Sequence, residues 1–281
     1  MKSKKMCECL YEKHVKGSVT EGMYMQEIID MERFPSPHPH VELSIVTYYS
    51  DGFKVKGMLA EPKGEKALDG FLYLRGGIKS VGKVRSSRLV QFACEGFIVF
   101  APYYRGNQGG EGNEDFAGDD REDAFAGYRI LQQHSRVKRV HVFGFSRGGV
   151  MALLTAIKFP DTASLVTWGG VSDMKLTYME REDLRRMMKR VIGGTPTKYP
   201  ERYKFRTPLY DIEQLKCPTL IIHGSKDQNV SVDHARILEV RLKDLCHPVE
   251  SWYFEELTHY FPPSINRKVV TDLTQWMKKQ S

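Results

Sequence analysis

Ser146 is the residue of this chain best placed for nucleophilic chemistry. It stands in Gly144-Phe145-Ser146-Arg147-Gly148-Gly149, between the apolar run Val140-His141-Val142-Phe143 and the helix-prone run 150–157. A serine on a strand-to-helix turn with glycine two before and two after is a nucleophile elbow. The turn lifts the hydroxyl clear of a sheet, and its crowded backbone leaves room only for hydrogen at the flanking positions. The helix that follows aims unpaired N–H groups at the same place, which suits the anion formed when a carbonyl is attacked.

A serine hydroxyl is barely nucleophilic at neutral pH. It needs a base in hydrogen-bond reach, and the base needs a carboxylate to fix its tautomer. Hydrolases with this elbow carry the three in the order Ser, acid, His. His259 follows the last expected strand (249–255) and so falls on the Ser146 edge of the sheet, whereas His247 precedes that strand and falls on the opposite edge. His223 ends a strand but precedes every acid of the loop after it. We therefore assign the base to His259 and the acid to Asp227, with Asp173 as the competing carboxylate and Asp233 read as a helix cap. One oxyanion donor is the Arg147 N–H. The other is the N–H of Gly77 or Ile78, where paired glycines after a strand let the backbone approach closely. The acyl-transfer reaction this arrangement supports requires no cofactor and no metal.

These residues need a sheet to place them, and the chain supplies one. Residues 41–49 and 54–61 alternate about Asp51-Gly52, which predicts an opening antiparallel hairpin. Short apolar strands at 71–74, 97–101, 140–143, 165–168, 219–223 and 249–255 then alternate with helices at 86–95, 119–133, 150–157, 233–245 and 264–278. The early acids of the 119–133 helix suit its positive end. This pattern predicts an α/β fold with a mainly parallel sheet covered on both faces. Residues 173–211 break the alternation with an amphipathic helix bearing Leu184, Met187, Met188 and Val191. They form a small helical cap insertion off the carboxyl ends of the strands. Met174, Met179, Met187 and Met188 suit either an adaptable substrate wall or core packing, and packing is the simpler account.

With 281 residues, one domain (41–281) is expected, preceded by a charged, partly helical arm (1–40). The net charge of +7 is scattered among acids, as in Glu180-Arg181-Glu182-Asp183, so a nucleic-acid partner is not expected. No run has the length of a signal or a membrane span, and an odd count of five cysteines fits free thiols, so the expected location is cytoplasmic. Cys7-x-Cys9 has no further ligands grouped beside it. The oligomeric state is left open.

Together these stretches resemble the α/β-hydrolase fold, and more narrowly the catalytic domain of the prolyl oligopeptidase family of serine peptidases, over about residues 41–279. The resemblance is carried by Pro102-Tyr103-Tyr104-Arg105-Gly106-Asn107-Gln108-Gly109-Gly110, by Gly144 to Gly149, by Tyr203-Lys204-Phe205-Arg206-Thr207-Pro208-Leu209, and by Cys217-Pro218-Thr219-Leu220-Ile221-Ile222-His223-Gly224 leading to Asp227 and Val230. It implies a serine hydrolase acting on small esters or short peptides. The chain departs from the family pattern in carrying no N-terminal propeller. It also has Arg75 where the family usually places Tyr or His, so that the guanidinium either donates to the oxyanion or turns away into a salt bridge. Arg75 and Tyr104 are expected to contact substrate, and Arg75, Arg105 and Arg147 suggest an anionic substrate group. The alternative from another class is a catalytically inactive α/β-hydrolase used as a binding or regulatory module.

Overall fold

The computed structural model describes residues 27–280. Nine strands form one sheet: β1 (Ile28–Phe34), β2 (Val41–Ser50), β3 (Phe53–Pro62), β4 (Leu68–Leu74), β5 (Phe97–Pro102), β6 (Val137–Phe145), β7 (Ser164–Trp168), β8 (Thr219–Gly224) and β9 (Val249–Phe254). Their spatial order is β1-β2-β3-β5-β4-β6-β7-β8-β9, antiparallel from β1 to β5 and parallel from there on. The hairpin turn at Asp51-Gly52 has φ of 48° and 79°. Two successive positive φ values match the right-handed twist of the strands they join.

Both faces are covered, as the apolar strands require. Helices α1 (Ser86–Cys94) and α8 (Pro263–Lys278) pack Leu89, Phe92, Val270 and Leu273 on one face. Helices α2 (Arg121–Gln133), α3 (Gly148–Lys158) and α7 (Asp233–Asp244) pack Phe125, Leu131, Leu153 and Leu238 on the other. Full burial of such side chains stabilises the fold by about 1.5–3 kcal/mol each.

The described part of the N-terminal arm differs from expectation. Ile28–Phe34 is a strand paired with β2, not helix, and every residue of it is exposed. The rest of the arm, with Cys7 and Cys9, lies outside the described residues. The three described cysteines, Cys94, Cys217 and Cys246, are free.

The insertion between β7 and β8 is helical but broken: α4 (Met174–Glu180), a 3₁₀ turn at Glu182–Leu184, α5 (Arg185–Met188), a wider turn at Lys189–Gly193 and α6 (Pro200–Lys204). Its apolar stripe faces the core. Met174 and Met188 are fully buried, Leu184, Met187 and Val191 pack against them, and only Met179 points out. Core packing, rather than a methionine wall, accounts for this stripe. Among the described residues, no helix is long and apolar enough to cross a membrane.

Candidate active site

The elbow is a point of backbone strain. Ser146 has φ of 58°, a left-handed conformation that costs a non-glycine residue roughly 1–2 kcal/mol. Its N–H donates to the Trp168 carbonyl at 3.1 Å, and its carbonyl accepts from the N–H groups of Gly149 (2.9 Å) and Val171 (3.0 Å). The turn is thereby pinned to the end of β7. A Cβ on Gly144 would fall 2.2 Å from the Gly148 carbonyl oxygen, and one on Gly148 would fall 2.0 Å from the Leu74 carbonyl oxygen. Both obstacles are backbone, so only glycine fits at either position.

Asp227 lies in the loop after β8 and His259 in the loop after β9. His259 Nδ1 lies 2.6 Å from Asp227 Oδ2, while Asp227 Oδ1 accepts the N–H groups of Asn229 (2.8 Å) and Val230 (3.0 Å). Burial pushes the Asp227 carboxyl up, but the hydrogen bond and charge of His259 and the Val230 and Asn229 amides outweigh it. The carboxyl is held below its ordinary value. An ionised acceptor on Nδ1 fixes the imidazole tautomer with Nε2 free to act as a base.

The pair sits against the elbow. The His259 ring centre is 4.8 Å from that of Phe145, the residue before Ser146. A Cβ on Gly169, next to the Trp168 carbonyl that holds Ser146, would lie 3.2 Å from His259 Nδ1 and 3.3 Å from Asp227 Oδ2. On the other side, a Cβ on Gly76 would fall 2.5 Å from Ser146 Cβ and 3.0 Å from its Oγ. The loop Gly76-Gly77-Ile78 therefore runs directly beside the hydroxyl, and Arg147 is the N-cap residue of α3, at the end where helix N–H groups lack intrahelical acceptors.

The alternative side chains are engaged elsewhere. Asp173 Oδ1 caps α4, accepting the N–H groups of Lys175 (2.7 Å) and Leu176 (3.0 Å). His247 Nε2 lies 2.8 Å from the Cys217 carbonyl at the far edge of the sheet, and the fully buried His223 meets the Val230 carbonyl at 2.9 Å beneath the acid loop. Asp233 is the first residue of α7 rather than its cap. Its own N–H donates to Ser231 Oγ at 3.2 Å.

The expected substrate contacts are corrected. Arg75 is 3% exposed and turned inward, donating to Glu114 Oε1 and the Tyr103 carbonyl, each at 2.9 Å. Arg147 is equally buried, bonded to Glu114 Oε1 (2.7 Å) and Asp120 Oδ2 (3.1 Å). Tyr104 is fully buried, and both guanidinium carbons stand 5.0 Å from its ring centre. Arg105 is held by Asp123 (2.9 Å) and Asp51 (3.3 Å). Buried cations demand carboxylate partners, and these arginines are consumed by theirs rather than offered to a ligand. Asp120, read among the early acids of the 119–133 helix, is an ion-pair partner of Arg147, and Asp123 is one of Arg105. Sequence reasoning missed Glu114, although two arginines embedded in apolar and glycine-rich segments were a signal that buried acids must face them. Among the described residues, no three His, Cys, Asp or Glu side chains gather into a group that could hold a metal.

Comparison with known proteins gives the family and the fold. The model of the prolyl oligopeptidase family matches residues 83–281. The uncharacterized peptidase YtmA of Bacillus subtilis (strain 168) is 62% identical over 256 residues, which span 90% of this chain and 100% of that protein. Acylaminoacyl peptidase of Pyrococcus horikoshii superposes with a TM-score of 0.73 at 19% identity, covering 90% of this chain and 42% of that one, so this chain spans less than half of its length. Acetyl xylan esterase 1 of Thermoanaerobacterium sp. JW/SL YS485 superposes at 0.68 and 15% identity, over 90% of this chain and 88% of that one. At such identities the two structures speak to the fold alone. An α/β-hydrolase sheet, a strained serine elbow and a match to the family over most of its length mean that this chain belongs to the prolyl oligopeptidase family and is a serine hydrolase.

Proposed function

We propose that the chain cleaves esters or amides of small acyl or short-peptide substrates through an acyl-enzyme on Ser146. His259 takes the hydroxyl proton as Oγ attacks the carbonyl, and Asp227 holds His259 in the correct tautomer and stabilises the imidazolium. The N–H of Arg147 and that of Gly77 or Ile78 receive the oxyanion. Collapse of the tetrahedral intermediate expels the alcohol or amine, which takes the proton back from His259. Water, activated by the same base, then releases the acid. The observation that carries this reading is the 2.6 Å contact between His259 and Asp227 beside a serine held at positive φ.

With Arg75, Arg105 and Arg147 turned inward, an anionic substrate group has no cation waiting among them. The free thiols of Cys94, Cys217 and Cys246 suit a reducing compartment, and we place the chain in the cytoplasm. A fluorophosphonate should label the native enzyme, and Ser146→Ala should abolish both labelling and p-nitrophenyl ester turnover. Labelling that survives the substitution would overturn the assignment of Ser146, and a native chain that takes no label would restore the reading as an inactive binding module. A series of acyl chain lengths set beside aminoacyl and prolyl amides would then rank esterase against peptidase.

A further inference from the structure

We propose that Glu114 is the positioning residue of the oxyanion hole, a single carboxylate that clamps together the two chain segments whose N–H groups must meet there. The inference rests on the acyl-enzyme reading above. The Glu114 side chain is fully buried. Its Oε1 accepts Nη2 of Arg75 at 2.9 Å and Nη2 of Arg147 at 2.7 Å, and its Oε2 accepts the backbone N–H of Lys79. Arg75 and Lys79 bracket Gly76-Gly77-Ile78, the segment beside the serine hydroxyl. Arg147 is the residue whose own N–H the acyl-enzyme reading assigns to the same hole. Glu114 therefore touches both walls of the hole without touching the hole.

The electrostatics make this arrangement obligatory. Two guanidiniums share the ring of Tyr104 in a site closed to water, where like charges repel strongly. Glu114 between them and Asp120 on the outer side of Arg147 supply two negative charges for two positive ones. Charge-assisted hydrogen bonds to planar guanidiniums fix direction as well as distance. Without the Glu114 charge, the two arginines have no shared partner and the walls carrying them separate. Stabilisation by preorganised donors is sensitive to such displacements, with 1 Å of misplacement worth roughly 10²-fold.

Glu114→Gln keeps the volume and removes the charge. It should lower kcat about 10- to 100-fold while leaving KM within about threefold, because the hole acts on the transition state and not on bound substrate. The affinity for a trifluoromethyl ketone, whose adduct with Ser146 bears an oxyanion, should fall by the same factor as kcat/KM. Glu114→Asp, which keeps the charge but is too short to reach all three donors, should fall in between and serves if the glutamine variant does not fold. Asp123→Asn breaks a separate buried ion pair, between α2 and Arg105, and should lower Tm while keeping kcat within about twofold of native. Native-like kcat in the Glu114 variants, or an equal loss in Asp123→Asn, would overturn the proposal. Fluorophosphonate labelling of Ser146 in the native enzyme separates the two levels. If the native serine does not label, the acyl-enzyme reading fails; if it labels and the Glu114 variants match it in turnover, only the clamp fails.

Discussion

Replacing Asp227 with Asn removes one charge and reverses one hydrogen bond. The Asn229 and Val230 N–H groups, at 2.8 and 3.0 Å from Oδ1, require an acceptor there, so the new amide nitrogen must take the Oδ2 position, 2.6 Å from His259 Nδ1. The opposite orientation would leave two backbone donors facing an NH₂ group, at about 1–3 kcal/mol each. A donor opposite Nδ1 forces that nitrogen to accept. The ring proton moves to Nε2, the position that must be empty to take the serine proton. The loss of kcat should approach ~10⁴-fold, equivalent to ~5 kcal/mol of transition-state stabilisation. The assay is p-nitrophenyl acetate turnover, with Tm followed by circular dichroism. Asp173→Ala is the matched control, because that carboxylate caps α4 through Lys175 and Leu176. It should cost about 1 kcal/mol of stability and leave kcat unchanged. An Asp227→Asn enzyme within tenfold of native, or an equal loss of rate in Asp173→Ala, would refute the reasoning.

Strain at the elbow predicts that Ser146→Gly melts above Ser146→Ala. Glycine relieves the roughly 1–2 kcal/mol of a left-handed residue, against a smaller gain in unfolded-chain freedom, whereas alanine keeps the Cβ and relieves nothing. Equal Tm values for the two inactive variants would mean that the turn stores no strain. Stability should also decline with acid. Burial lowers the His141 and His223 pKa values in the folded state, so below the ordinary value of about 6.5 the unfolded chain takes up protons that the folded one refuses. Asp227, held low by His259, contributes stability above the ordinary aspartate range that is lost as pH falls further. Thermal melts at pH 7.5, 6.5 and 5.5 should show Tm falling stepwise, and a flat series would contradict the assignment of neutral buried rings.

Much of the fold, and the pairing of Asp227 with His259, were legible because the strands that position them have local signals. Four-residue apolar strands and the glycine spacing of the elbow can each be read within a short window. What was not legible depends on distant partners. Arg75 meets Glu114 across 39 residues, and nothing near Arg75 says whether its charge faces water or a buried acid. The strand Ile28–Phe34 was missed because an edge strand exposed at every residue has no buried face to impose alternation. The cap stripe was seen correctly but taken for one helix. It runs instead through a 3₁₀ turn, α5 and a wider turn, and stops at Gly193 and Gly194, whose φ values are 86° and 146°.

The order in which the sheet is assembled has a bearing on biogenesis. Ser146 follows β6 in the middle of the sheet, whereas Asp227 and His259 follow β8 and β9, which lie at one edge and come after it in the chain. Synthesis runs from the N-terminus, and parallel strands wait for the partners and crossovers that complete them. A nascent chain thus carries its serine on an elbow that still lacks both the carbonyl of Trp168 to anchor it and an imidazole to activate it. On the proposed triad, hydrolytic power arrives only when β9 has joined the sheet and the loop after it carries His259 to the elbow.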